Sequence, residues 1–276
     1  MNKQSRLVVP KLKEILEVLD EMAPFSLAED WDNSGLQVGY FSQEVRGICM
    51  ALDPTIKAVR YASKGKAQLL LTHHPLIFKP LSNINPESYP GDVINEALKK
   101  KVSIVAAHTN LDATKGGISD MLADLFGLQD VEALYNKDAS GGTGVGMGRI
   151  GNLPEPLTLS EMVKAVKNSL GTEGLMVRGL GDMEIGRVAV VGGSGGGMVS
   201  LASKKGADLL VTGDIRHHEA LEAEALGLAL IDGGHFQTER AAFNLFADHF
   251  GNKLKERGWD IIPELYEDEK EPMRHE

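Results

Sequence analysis

The sequence predicts an α/β fold made of two similar α/β domains, an internal duplication, and three observations carry that expectation. Short buried apolar runs alternate with amphipathic helical stretches, the pattern of parallel strands joined by crossover helices. The segment Ser63-Lys-Gly-Lys-Ala-Gln-Leu-Leu-Leu-Thr72 reads like Ser203-Lys-Lys-Gly-Ala-Asp-Leu-Leu-Val-Thr212 at a constant offset, and a second pair of similar segments follows in the same order. Of the eight histidines, all but His249 and His275 stand at the ends of expected strands. A chain of 276 residues is long enough for one large α/β domain or two half-sized ones.

Taken in order, Val9-Pro10 opens a helix with proline in its first turn, and Leu12, Ile15, Leu16, Leu19 and Met22 keep its apolar stripe up to Pro24. Trp31-Asp32-Asn33 reads as a capped turn with an anchoring ring, or as part of a site, and it feeds a short strand ending at Gly39. Residues 47–53 form a buried strand, 55–65 a helix, and Gln68–Thr72 a second strand that delivers His73 and His74 to its carboxyl end before Pro75 stops it. After a loop rich in Pro, Asn and Ser come a helix around Val93–Lys100 and a strand, Val102–Ala106, ending in His108-Thr-Asn-Leu-Asp112. A short helix over Ile118–Phe126 stops at Gly127.

The first half is expected to cover 1–135 plus part of the C-terminal segment, with a glycine-rich connector over 136–156. The second half then covers 157–266. It opens on the capping box Thr158-Leu-Ser-Glu161. Its strands, Arg187–Val191, Ala207–Thr212 and Leu228–Asp232, lead into Gly192–Gly197, Gly213–His218 and Gly233–Glu239 respectively. A long amphipathic helix over Arg240–Arg257 follows, and the charged residues 267–276 are expected to fray.

Composition bounds the function. The net charge of −10, from 39 acidic against 29 basic residues, argues against a phosphate-backbone binder, which needs an excess of Lys and Arg. No apolar run approaches the ~20 residues of a membrane span. One cysteine, Cys49, allows no intrachain disulfide framework, so a cytoplasmic protein is expected, with Cys49 as a small buried hydrophobe.

In alternating α/β chains the carboxyl ends of parallel strands form the functional edge. Here those ends carry His73, His74, His108, Asp112, Asp214, His217, His218, His235 and Glu239. Adjacent strand residues point to opposite faces, so His73 and His74 share one metal only if the backbone turns, as Pro75 can force, and otherwise serve two nearby metals. His235 and Glu239, four apart where a strand gives way to a helix, share a face one turn apart. Imidazoles mixed with carboxylates suit divalent metals such as zinc, manganese or iron, and a bridging carboxylate can hold two ions together. His108 reads equally as a ligand or as a group that orients one. Asp214, His217 and His218 are candidates for proton transfer or for supporting hydrogen bonds, with a helix cap by Asp214 as the plain alternative. The run Val191-Gly-Gly-Ser-Gly-Gly-Gly197 fits neither the P-loop nor the dinucleotide fingerprint, which leaves a phosphate cradle or tight helix–sheet packing.

The blocks Trp31–Gly39, Thr72–Phe78, His108–Asp112, Thr212–His218 and Gly233–Glu239 resemble, in order, the signature blocks of the Nif-three-like dinuclear metal-centre family, often named GTP cyclohydrolase I type 2 homologues. The resemblance covers nearly the whole chain. It implies two similar α/β domains with a dinuclear site between them, and a toroidal homohexamer whose sites face an inner cavity. Carried over by position, it implies that His73, His74, Asp112, His235 and Glu239 hold two divalent ions (zinc, iron, manganese or magnesium). His73 and His235 would lie on one ion and His74 and Asp112 on the other, with Glu239 bridging. The chain resembles the minimal form of the family, which lacks an inserted domain. The function so implied is a metal-dependent hydrolase of a nucleotide or phosphoester, with a metal-stabilised binding or scaffold ring as the alternative.

Overall fold

The computed structural model describes residues 9–136 and 144–273. It is a mixed α/β protein with two sheets. One unit is built from the residues up to Leu111 together with Asn244–Lys270, the other from Asp112–Phe243.

In the first unit the chain runs through α1 (Leu12–Met22), β1 (Gly35–Val38), β2 (Ile48–Ala51), α2 (Ile56–Lys64), β3 (Leu69–Thr72), α3 (Gly91–Lys100) and β4 (Ser103–Ala106), and α4 (Thr109–Ala113) follows. Strands β2, β3 and β4 are parallel neighbours, and all four residues of each are buried. Strands covered on both faces read as unbroken apolar runs, which is why these were visible in the sequence. β1 returns antiparallel along β4. Val59, Leu70, Ile94, Ile104 and Cys49 share one buried cluster, each large aliphatic among them contributing about 1.5–3 kcal/mol by its burial. Helix α1 differs from expectation at its start. Lys11 is extended and bridges Glu44, so the helix begins at Leu12, after Pro10, and the Glu14 carboxylate accepts the Lys11 N–H at 2.7 Å.

The second unit holds α5 (Ile118–Leu125), β5 (Gln129–Tyr135), β6 (Met147–Thr158), α6 (Leu159–Leu170), β7 (Met176–Arg178), β8 (Glu184–Ser194), α7 (Val199–Lys204), β9 (Leu209–Gly213), α8 (His217–Leu226), β10 (Ala229–Asp232) and the start of α9 (His235–Glu256). Its sheet has the order β5-β6-β8-β9-β10-β7. β8, β9 and β10 are parallel, and β7 returns antiparallel along β10. The capping box expected at Thr158 is present: Thr158 Oγ1 accepts the Glu161 N–H and the Glu161 carboxylate accepts the Thr158 N–H.

Three boundaries differ from the sequence reading. Residues 112–135 group with the second unit, because β5 pairs with β6 and β6 with β8. The expected connector lies partly outside the described residues, at 137–143, and its remainder enters β6, a full strand of the second sheet. The C-terminal segment was expected to fray from 267. Instead, after β11 (Glu264–Leu265) pairs parallel with β2 and Tyr266 donates its N–H to Met50 O at 2.8 Å, Glu269 accepts the Leu52 and Asp53 N–H groups at 2.9 and 2.8 Å. No described helix is long and apolar enough to cross a membrane.

Candidate metal centre

In the first unit the backbone turns where the histidines need it to. Strand β3 stops at Thr72, whose hydroxyl donates to His74 O at 2.8 Å and folds the chain over the two imidazoles. The His73 and His74 rings then lie 5.1 Å apart between centroids, with His108 5.3 Å from the first and 5.6 Å from the second. Their ligand-type nitrogens all fall within 4.8 Å of one another.

Each of these imidazoles is held by its Nδ1. His73 Nδ1 lies 2.8 Å from Ala107 O, which can only accept, so Nδ1 carries the proton and Nε2 keeps a lone pair. His74 Nδ1 lies 2.9 Å from Asp53 Oδ1, and His108 Nδ1 lies 2.8 Å from Asp32 Oδ1. A carboxylate or carbonyl behind the far nitrogen is the arrangement that fixes tautomer and ring angle in metal-binding histidines. Burial pushes the Asp32 carboxyl up, but hydrogen bonds from His108, Thr109 and Ser34 outweigh it and hold the group well below the ordinary carboxylate range. Asp32 is therefore a fixed negative charge behind His108. Trp31 is 57 % exposed, so the ring expected as an anchor is instead presented to solvent, 5.7 Å from Phe78 and 6.0 Å from His108.

The second unit repeats the device with a different frame. His235 opens α9 and Glu239 follows one turn later, with His235 Nε2 3.1 Å from Glu239 Oε1. His235 Nδ1 is held at 2.7 Å by Asp214 Oδ2. Asp214 stands in the left-handed region at φ 55°, past the end of β9. The Asp232 carboxylate ties the two loops, accepting the Ile215 N–H on one oxygen and the Gly234 N–H on the other, both at 3.0 Å. Asp112 lies on α4, 8 % exposed, and its carbonyl accepts the Ser119 hydroxyl at 2.9 Å.

The glycine-rich run at the end of β8 proves to be a matter of close packing. A Cβ on Gly193, at φ +62°, would come 2.2 Å from Glu239 Oε1 and 3.2 Å from His235 Nε2. On Gly195 it would meet Thr212 Oγ1 at 2.3 Å, and on Gly196 Glu219 Oε2 at 2.0 Å. His217 and His218 are exposed at the start of α8, ring centroids 5.6 Å apart.

The structure thus gathers His73, His74 and His108 in one unit and His235 and Glu239 in the other. The sequence reading missed Asp53 and Asp32 as orienting groups and Asp232 as the loop tie. Asp53 and Asp232 stand at carboxyl strand ends, so the criterion that selected the histidines would have found them.

A divalent metal fits these donors, because every imidazole is turned to offer Nε2 and a buried carboxylate stands beside His235. The chain also resembles known proteins along most of its length. Residues 10–272 match the model of the Duf34/NIF3 (NGG1p interacting factor 3) family. A Clostridium perfringens protein named GTP cyclohydrolase 1 type 2 homolog is 34% identical over 229 residues, covering 83% of this chain and 87% of its own. Helicobacter pylori GTP cyclohydrolase 1 type 2 is 36% identical over 231 residues, again 83% of this chain and 87% of its own. The crystal structure of a Bacillus cereus protein related to NIF3 superimposes with a TM-score of 0.90 at 26% identity, covering 97% of this chain and 100% of that one. The chain belongs to the Duf34/NIF3 family.

Proposed function

We propose that the chain holds a pair of divalent ions on His73, His74, Asp112, His235 and Glu239, and that it is a metal-dependent hydrolase acting on a nucleotide or phosphoester. The observation that carries this reading is the fixing of His73, His74, His108 and His235 by Nδ1, which makes Nε2 the nitrogen that each ring would offer to a metal. The family membership and the names of the relatives support the class of substrate. Ions held there would acidify a water and polarise an electrophilic phosphorus or ring carbon. Asp53, Ala107 O and Asp214 keep the ligand rings oriented, and Asp32 does the same for His108. His108 is a supporting group beside the His73–His74 pair. His217 and His218, exposed at the start of α8, are the candidate acid–base groups of this reading, and Asp214 serves through His235.

The same reading takes the two units as products of a duplication, because both run helix, antiparallel strand and three parallel strands in one order. It takes the ions to lie between the two units and the assembly to be a toroidal homohexamer, as the family resemblance implies, and the single cysteine agrees with a cytoplasmic setting. The test is a metal-reconstituted protein assayed against a panel of nucleotides and phosphoesters beside Glu239→Gln. Metal-dependent turnover lost in the variant supports the hydrolase. No turnover, together with a ring that falls apart on chelation, would assign the metals a structural role instead.

A further inference from the structure

The acidic C-terminal segment follows a path that its composition does not suggest. β11 adds to the first sheet beside β2, with Glu264 opposite Cys49 and Leu265 opposite Met50. The Tyr61 hydroxyl holds its start, donating to Glu264 at 2.9 Å, and the Tyr61 ring lies 4.9 Å from that of Tyr266. β11 is only two residues long, yet the amides of β2's far end still have a partner. Glu269 Oε2 accepts the Leu52 N–H at 2.9 Å, and Oε1 accepts the Asp53 N–H at 2.8 Å. One carboxylate takes the place of the next rungs of the ladder. Charge-assisted bonds of this forked kind are stronger and more directional than neutral ones.

The residue clamped in this way is the one that orients His74. Asp53 offers Oδ1 to His74 Nδ1, so its backbone position sets where that oxygen stands. We propose that Glu269 is a positioning residue for His74, acting through the Leu52 and Asp53 amides to keep the imidazole protonated on Nδ1 with its lone pair on Nε2. The role of that lone pair rests on the metal-binding reading above, whereas the tautomer itself rests on the hydrogen bonds alone.

The experiment uses the full chain and four variants: Glu269→Ala, Glu269→Gln, Asp53→Asn and Tyr61→Phe, with Glu269→Ala also combined with Asp53→Asn. Imidazole nitrogen shifts in the metal-free protein report the His74 tautomer, and visible absorption on titration with Co2+ reports affinity. The wild type is expected to show His74 as the Nδ1–H form. Glu269→Ala mixes the tautomers and weakens Co2+ binding by ~10-fold or more, as loss of an outer hydrogen bond does at metal sites. Glu269→Gln, which keeps one accepting oxygen, falls between the two and serves in place of Glu269→Ala if that variant does not fold. In the Asp53→Asn background, loss of Glu269 adds nothing further. Tyr61→Phe, which loosens the same segment at its start, moves neither readout. A wild-type tautomer and affinity in Glu269→Ala would overturn the proposal, as would equal losses in Glu269→Ala and Tyr61→Phe. No Co2+ binding by the wild type would overturn the metal reading, and the tautomer would then decide the role of Glu269 by itself.

Discussion

The two units carry the same order of elements, α1-β1-β2-α2-β3-α3-β4 against α6-β7-β8-α7-β9-α8-β10, but they hold their histidines in different ways. In the first, the histidine-bearing turn follows β3, the central strand of the parallel trio, and Thr72 folds it. The corresponding turn after β9 carries Asp214 in place of a histidine, and the imidazole comes from the start of α9 after β10. One unit therefore supplies two adjacent rings, and the other supplies one ring with an orienting carboxylate from the neighbouring strand end. A shared topology fixes where the functional edge lies, while single residues at strand ends decide what each edge offers.

The edges away from that trio also differ. β2 is flanked by the short β11, whereas β8 is flanked by the β5–β6 pair, whose approach is held by Arg149. Arg149 is fully buried and donates to Gly146 O at 2.6 Å, Gly148 O at 2.8 Å, and Thr114 O and Gly144 O at 3.0 Å, besides pairing with Asp120. Arg149→Met is expected to have the largest effect on stability, ~3–5 kcal/mol by denaturant unfolding, because it leaves Asp120 and several carbonyls without their donor. A loss below 1 kcal/mol would show that water replaces the guanidinium and that the two edges are equally tolerant.

Next in size is Gly193→Ala. It combines a left-handed backbone with a Cβ 2.2 Å from Glu239 Oε1, so ~1–3 kcal/mol of strain falls directly on the carboxylate of the second unit. Calorimetric metal titration should show weaker binding, with the orientation of His73 and His74 in the first unit untouched. Unchanged metal binding would separate the glycine run from the site.

The orienting carboxylates come third. Asp53→Asn and Asp214→Asn should each weaken metal binding by ~10–100-fold. Asp214 has the more exposed side chain, 52% against 35% for Asp53, so water competes more there and its loss should be the smaller one. The reverse order would mean that the second unit dominates affinity.

Much of this arrangement was visible in the sequence because it is local. Ile48–Ala51, Leu69–Thr72 and Ser103–Ala106 announce themselves as buried runs, and the histidines stand directly behind such runs. What lay out of sight depends on sheet order. Asp32 reaches His108 across 76 residues and Glu269 reaches Asp53 across 216, separations at which periodicity carries no information. The charged tail reads as frayed because its anchoring groups are a tyrosine hydroxyl and two amides far away in the chain. The glycines at the end of β8 have two sensible local readings, and only the position of Glu239 decides between them.

The smallest effect concerns helix starts. Thr158 caps α6 with its hydroxyl, whereas Lys11 at the start of α1 has no side-chain oxygen to offer. Thr158→Ala should cost ~1 kcal/mol in thermal unfolding. The Thr158 N–H and hydroxyl hold the Glu161 carboxyl below its ordinary range. A lowered folded-state value means that this part of the cap is complete above the ordinary carboxylate range and is lost as pH falls through the lowered one. An equal pH dependence in Thr158→Ala would assign it to the Thr158 N–H, which alanine keeps, and exclude the hydroxyl as its source.

The central claim is that the two differently built edges serve one purpose, the binding of a pair of divalent ions. Elemental analysis of the metal-reconstituted chain, beside His74→Ala and Glu239→Ala, tests it most directly. The account predicts a pair of ions per wild-type chain and a reduced content in both variants, one altered in each unit. A wild-type chain that retains no metal, or variants that retain as much as the wild type, would contradict it.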